Sequence, residues 1–340
     1  MLGCAIAVLA ALPGPGIAGR TATAGGAVAA RGAVAVPLAR SGEPAAMPQR
    51  HGVWQRHGLW QRHGAWPGDG VWQPPEHADW MWELGQPLVT TNSYMMGTGV
   101  TAANGDQSPA DDPVVYDIDA IENSAATVAA LHRLGDHVIC YIEAGAAGNY
   151  YTPAQEGLRT TYYAQLKAAG DLGRKLPGYP ERFINVGAAS AVAIIESMIG
   201  KQCAGKGFDA VETDLDETFG NNEGRTGFTI TRADEERFLA RLAGYMHRRG
   251  LGWIAKNLDD TGSVLFVDHM EPLAQGVITE QCNQYETCWL LRPFLAARKW
   301  IGNAEYDSGT LARFCARDNA ANINGVLFNS NLDGGREPCR

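Results

Sequence analysis

From Pro113 onward, short runs rich in β-branched and aromatic residues alternate with longer runs whose apolar positions recur at helical spacing. The short runs cover 114–118, 137–142, 182–186, 209–213, 252–257, 276–280, 300–305 and 325–328, which makes eight predicted strands. Between most of them lie amphipathic helices. One is predicted over 124–134, with Val128, Leu131 and Leu134 on one face and Gly135 as its stop. Another follows Thr231, which with Asp234 resembles a capping box. Phe238, Leu242, Tyr245 and Met246 form its apolar stripe, and Gly250 ends it. Strands that alternate with helices imply a parallel sheet, and eight such units close naturally into a (β/α)8 TIM barrel of the α/β class. The competing architecture is an open doubly wound sheet. No GxGxxG follows an early strand and no P-loop is present, so a nucleotide-binding version has little support.

The N-terminal quarter reads differently. Residues 5–12 are a short apolar run followed by Pro13, Gly14, Pro15 and Gly16, as in the hydrophobic region of a secretory signal, although no positive segment precedes them. Residues 49–72 repeat with a period of six: QRHGVW, QRHGLW, QRHGAW and the degenerate PGDGVW. This period matches neither a helix nor a solenoid, and the copies are too few for a core. A low-complexity linker is expected, with histidine-mediated metal capture and an aromatic tether to sugar polymers as the sharper alternatives. The chain therefore divides into a leader over 1–30, a linker over 31–78 and a barrel over 79–340.

Length alone would allow two domains, since 340 residues exceed the prior of roughly 150 per domain. One barrel of about 250 residues behind a leader accounts for them equally well. The net charge is −9, but residues 1–78 hold six arginines against three acids, or +3, leaving −12 for the rest. That balance argues against nucleic-acid or anionic-membrane partners. After the N-terminus no apolar run reaches the roughly 18 residues that a membrane-spanning helix needs.

In a barrel of this kind, function lies where the strands end. The predicted ends supply Tyr116, Asp117 and Asp119; Tyr141 and Glu143; Glu212, Asp214 and Asp216; Lys256 and Asn257; Glu280 and Gln281; Glu305 and Tyr306; Asn329 and Asn331. One acid at a strand end is ordinarily solvated or caps a helix. A whole set converging on one rim points to a carboxylate-rich active site. Carboxylates with amides and aromatics, but no serine or cysteine nucleophile beside a base, suit glycoside hydrolysis, in which one carboxyl gives a proton and another acts as nucleophile or base. Trp80 and Trp82, placed just before the barrel, are candidates for stacking on a sugar, the alternative being core or a barrel plug. A metal hydrolase would want histidine ligands; His132, His137 and His247 fall on helices or at a strand start, only His269 could approach the rim, and no HExxH occurs. No metal and no cofactor are expected.

The stretches WMWEL, VYDIDAIENSAATVAALHRLG, VICYIEAGA, KGFDAVETDLDET, GLGWIAKNLDD, ITEQCNQYETC and NAEY resemble glycoside hydrolase family 114, the endo-α-1,4-polygalactosaminidases and the related hydrolase domains of bacterial exopolysaccharide operons. The resemblance runs from about Trp80 to the C-terminus. It implies a (β/α)8 barrel and a secreted, monomeric, endo-acting and retaining enzyme on galactosamine-rich polymer. By the resemblance, Asp214 is nucleophile or base and Glu280 is general acid/base. Trp82, Asp117, Asp119, Tyr141, Glu143, Glu212, Lys256, Asn257, Gln281, Tyr285, Glu305 and Tyr306 form the expected sugar-binding set. Thr213 and Leu215 flank Asp214 where the family usually shows Pro and Asn, and Glu143 stands where it commonly shows Ser. An extra carboxylate at Glu143 could meet a substrate amino group, or could instead pair with Lys256. The alternatives are a catalytically silent carbohydrate-binding barrel and a glycosidase acting on another exopolysaccharide.

Seven cysteines remain to be placed. Cys282 with Cys288 and Cys315 with Cys339 are expected to be disulfides in an oxidising compartment, whereas Cys140 and Cys203 are either buried thiols or a third bridge.

Overall fold

The computed structural model describes residues 70–103, 112–221 and 225–340. The expected leader and the first three copies of the repeat lie outside the described residues.

The strands, in chain order, are β1 (Trp80–Glu83), β2 (Val115–Asp119), β3 (His137–Glu143), β4 (Ala146–Ala147), β5 (Leu172–Lys175), β6 (Arg182–Ile184), β7 (Ala210–Asp214), β8 (Gly252–Lys256), β9 (Gly276–Glu280), β10 (Trp300–Glu305), β11 (Asn324–Phe328) and β12 (Arg336–Pro338). The main sheet runs β1-β2-β3-β7-β8-β9-β10-β11-β12, parallel except for β12, which pairs antiparallel with β11. Eight parallel strands thus form a (β/α)8 barrel, and the C-terminal tail helps close the seam. Arg336 spans that seam, giving hydrogen bonds to the Gly97 carbonyl at 3.1 Å and to Asp79 and the Trp80 carbonyl at 3.4 Å. Leu84 adds a backbone bond to Leu332 at 3.0 Å.

The expected eight strands are right in number and wrong in one member. The 182–186 segment is not a barrel strand. Its Arg182–Ile184 core pairs antiparallel with β4 and β5 in a separate three-stranded sheet. Only three residues long and preceded by Pro180, it matches an apolar strand in composition but belongs to an excursion from the barrel rim. The missing strand is β1, whose pairing with β2 puts Trp80 and Trp82 inside the barrel rather than before it. Because one strand was lost and one gained ahead of β7, Asp214 and Glu280 still end the fourth and sixth barrel strands.

Strands β1, β2, β7, β8, β9, β10 and β11 are buried along their whole length, as expected for a parallel sheet covered by helices. The barrel floor is aromatic: Trp80 lies 5.6 Å from Trp300 and 5.1 Å from Phe328, ring centre to ring centre. Small residues make the room. A Cβ on Gly302 would stand 2.7 Å from the Trp300 ring and 3.1 Å from that of Trp80. Both indole N–H groups are paired, Trp80 with the Asn324 carbonyl and Trp300 with the Ala78 carbonyl, each at 3.0 Å. Trp72, from the degenerate last copy of the repeat, stacks on His137 at 4.5 Å.

The cap signals hold, although Leu134, expected on the buried face of the first helix, is exposed at its C-terminal end. Ser124 caps Ala125–Leu134, which ends on a left-handed Gly135. Thr231 and Asp234 form the capping box of Arg232–His247. All three cysteine pairs are bonded: Cys140–Cys203, Cys282–Cys288 and Cys315–Cys339.

Candidate active site

Alternation along the strands sorts side chains between the barrel interior and the helix layer. On the inward face Glu212 and Asp214 rise along β7, Lys256 ends β8 and Glu280 ends β9. At the centre is the Lys256 ammonium, 1% exposed. Its Nζ lies 3.3 Å from Glu212, 3.2 Å from Asp214 and 3.1 Å from Glu280. Those carboxylates hold it charged, well above its ordinary value, although burial works the other way. Below it, Trp82 supports the cluster twice: its ring centre is 4.5 Å from Nζ and its indole N–H gives a 3.3 Å bond to Glu212.

Tyr141 donates to the other Asp214 oxygen at 2.8 Å. Glu280 accepts from Tyr306 at 2.5 Å and from the Asn257 amide at 3.2 Å, and its own backbone N–H bonds to Asn257 Oδ1 at 2.9 Å. Asp117 lies deeper and is fully enclosed. Burial first, and then the adjacent Glu212 charge, push its carboxyl well above its ordinary value. Tyr141, Glu212, Asp214, Lys256, Asn257, Glu280 and Tyr306 thus form one connected network, with Asp117 enclosed beside Glu212. Since a single nitrogen contacts oxygens of both Asp214 and Glu280, those oxygens lie at most roughly 6 Å apart, a limit that admits the span of about 5–5.5 Å that carboxyl pairs show in retaining glycosidases.

The backbone leaves the barrel abruptly after each central side chain. Leu215, Asn257 and Gln281, which directly follow Asp214, Lys256 and Glu280, have φ of 65°, 48° and 55°. Left-handed backbone is unusual for leucine and concentrates at functional sites. At Leu215 the cost is offset by packing, because its side chain is buried with Ala146 and Phe183 of the small three-stranded sheet and with Leu176, which follows β5. Gly145 is required beneath it, since a Cβ there would approach the Leu215 carbonyl to 2.1 Å.

Several expected sugar-binding residues serve elsewhere. Trp82 has no exposed surface, so it cannot stack on a saccharide; it braces Lys256 and Glu212 instead. Asp119 closes its own turn through Ile121 and Glu122, with Tyr151 donating to it at 2.7 Å. Glu305 lies on the outward face of β10, where it accepts from the Asn283 backbone at 2.9 Å and from Asn303 at 3.2 Å, anchoring the loop after β9. Gln281 bonds within that loop to Gln284 at 2.6 Å, and Tyr285, half-buried, sits further along it. Glu143 does not pair with Lys256; its carboxylate accepts from the Gly148 backbone at 2.9 Å. His269 turns to Glu236 on the Arg232–His247 helix at 2.9 Å and away from the rim.

Other acids emerge only from the fold. Asp216 accepts from Thr213 at 2.9 Å and from the Lys256 backbone at 3.0 Å, fixing β7 to β8. Glu181, Glu217 and Asp260 come from three different loops, and each is close enough to Asp214 for the charges to repel. Asp260 could have been suspected from its place just past Asn257; Glu181, in YPERF, carries no local signal.

A (β/α)8 barrel with paired carboxylates at the C-terminal rim defines a glycoside hydrolase. The model of glycoside-hydrolase family GH114 matches residues 66–340, and the chain belongs to that family. Among solved structures, Aspergillus fumigatus Ega3 in complex with galactosamine is 26% identical with a TM-score of 0.63, over 79% of this chain and 97% of that one. The glycoside hydrolase domain of PelA from Pseudomonas aeruginosa is 15% identical with a TM-score of 0.54, over 75% and 96%, and is similar in fold. No curated protein matches the chain.

Proposed function

We propose that this glycoside hydrolase is a secreted, monomeric, endo-acting enzyme that cleaves α-1,4-linked galactosamine-containing polysaccharide with retention. The single observation that carries the reading is the Lys256 ammonium lying 3.2 Å from Asp214 and 3.1 Å from Glu280, which draws the two carboxylates together at the barrel mouth. The likeness to Ega3, bound to galactosamine, supports the substrate class. Three disulfides favour an oxidising compartment. The leader and linker over residues 1–78 would deliver the barrel outside the cell, and one chain supplies the whole network.

In this mechanism Glu280 protonates the glycosidic oxygen as Asp214 attacks the anomeric carbon, so the C–O bond breaks and a glycosyl-Asp214 ester forms. Glu280, now ionised, takes a proton from water as that water displaces Asp214, which restores both groups. The Lys256 ammonium, within 3.2 Å of both groups, offsets the negative charge that Asp214 carries into the attack and that Glu280 gains on giving up its proton. Tyr306 and Asn257 orient Glu280, and Tyr141 orients Asp214.

The test is incubation with partly deacetylated galactosamine polymer, with products read by mass spectrometry and the anomer first formed read by proton NMR. Wild type should release oligosaccharides of retained configuration. Asp214→Asn and Glu280→Gln should each lose more than about a thousandfold in rate. Full activity in either variant refutes the assignment, and an inverted first product refutes the covalent route.

A further inference from the structure

We propose that a cleft on the flank of the barrel, walled by Asn283, Glu286, Trp289 and Arg317, is a second carbohydrate-binding site that holds a sugar unit of the polysaccharide chain outside the catalytic centre. The inference rests on the polysaccharide reading above and adds where else that chain is gripped.

The cleft exists because one barrel helix is short. Between β9 and β10 the chain forms a helix of only five residues, Arg292–Ala296, which is about 7.5 Å long at 1.5 Å per residue. β10, with six residues, spans about 20 Å. The next helix, Leu311–Ala321, has eleven residues. The segment 281–291 fills only part of the difference, and a cavity of about 320 Å³ remains between it and the Leu311–Ala321 helix. That volume falls among those of small-molecule sites. Its walls are tied down. Asp318, buried in one of them, accepts from the Asn283 amide at 2.7 Å and from the Asn303 amide at 2.8 Å. The Asn283 backbone bonds to Glu305 at 2.9 Å, and the Cys282–Cys288 disulfide closes the loop that carries Glu286 and leads into Trp289.

What the cleft presents suits a sugar ring. Trp289 is 58% exposed, a large apolar face left in water, and the Arg292 guanidinium lies 5.6 Å from its ring centre and steadies it. A pyranose has a C–H face that packs on such a plane and an edge of hydroxyls that both donate and accept. Glu286 and Arg317 offer that edge an acceptor and a donor. Both border the cavity, and neither has a hydrogen bond or ion pair among the described residues. A protein partner would look for a contiguous apolar patch. None of the other exposed large hydrophobic side chains among the described residues borders the cleft, so one indole within a polar rim favours a saccharide. The cleft also adjoins the catalytic rim along the chain. Asn283 follows Glu280 by three residues, so their Cα atoms lie at most about 11 Å apart. A long polymer held at the flank is thereby kept at high effective concentration near the barrel mouth.

The experiment uses the full chain with Asp214→Asn, which blocks turnover, alone and combined with Trp289→Ala or Trp289→Tyr. Calorimetry and tryptophan fluorescence follow titration with a short soluble galactosamine oligomer, and electrophoresis through gels containing galactosamine polymer measures retention. Trp289→Ala should remove one binding event and weaken retention about tenfold or more, and Trp289→Tyr should restore part of both. With Asp214 intact, Trp289→Ala should raise KM on long polymer more than on the short oligomer. The absence of any binding event that depends on Trp289, or equal retention with and without its ring, would overturn the second site. A Trp289-dependent event in a protein that, with Asp214 intact, hydrolyses no galactosamine polymer would keep the cleft and refute the proposed hydrolysis instead.

Discussion

Replacing Lys256 by methionine tests the centre of the site most directly, because one ammonium holds three carboxylates. At an effective dielectric of about 20, a unit pair at the observed 3.1–3.3 Å is worth about 5 kcal/mol. Three such attractions are opposed by desolvation of the ions and by repulsion among the acids, so the gross sum is not the loss. Removing one partner of a buried ion cluster costs about 3–5 kcal/mol. For a domain of this size that lowers Tm by roughly 10 °C. The pH dependence follows from the charges left behind. Glu212 already lies above its usual value with Lys256 present, burial being the main cause. Without the ammonium, which opposes that rise, the folded-state value of Glu212 moves further above its unfolded value. An acid raised by folding favours the fold at low pH and loses that contribution as pH rises through the folded-state value. The Tm gap between wild type and Lys256→Met should therefore be wide at pH 8 and narrow at pH 5. Differential scanning calorimetry measures the gap, and kcat/KM on galactosamine polymer should fall at least about a hundredfold as Asp214, the proposed nucleophile, loses its counter-charge. A variant that melts within 2 °C of wild type at pH 8, or a gap that widens on acidification, would refute the electrostatic account; the 2 °C limit corresponds to about 1 kcal/mol or less.

Other outcomes follow from the same structure. Burial raises Glu83 and Glu235 to about 8 and Glu305 to about 7, so each is neutral in the fold at pH 5 and ionises at a cost as pH climbs. Wild-type Tm should accordingly fall between pH 5 and pH 8, and Glu83→Gln should flatten that slope; a Tm that rises over this interval would contradict the assignment. Removing the Cys140–Cys203 bridge, which spans 63 residues, should cost about 4 kcal/mol, against about 2 kcal/mol for Cys282–Cys288, which spans six. Urea unfolding of the paired alanine variants ranks the two. Despite that order, activity should suffer more from the smaller bridge, because it closes the loop that follows Glu280.

Much of the fold was legible along the chain. Parallel strands covered on both faces are continuous apolar runs, and seven of the eight barrel strands stood out for that reason. Caps such as Ser124 and Thr231 act within one turn of their helices, so local spacing suffices to find them. The same local reading misassigned β1 and β6. Strand composition shows that a segment prefers extended backbone, but not which edge it pairs with. Asp214 and Glu280 could be placed because a parallel barrel brings every strand end to one rim and the family motifs mark those two positions. Orientation and partnership were not legible. Glu305 ends a strand yet faces the helices, Trp82 is an aromatic beside the site yet lies beneath it, and Glu143 ignores the lysine expected to pair with it.

The sequence by itself determined the alternating element pattern, the barrel class and the acidic rim, since each depends on residue type and short-range periodicity; Asp214 and Glu280 were singled out within that rim by resemblance to the family motifs. Only the tertiary structure decided that one lysine binds three acids, that Asp117 is fully enclosed beside Glu212, and that Trp82 lies beneath the cluster as its support. These arrangements depend on distances across the barrel and on exclusion of water. Both arise from packing among residues far apart in the chain, and neither is carried by any local stretch of it.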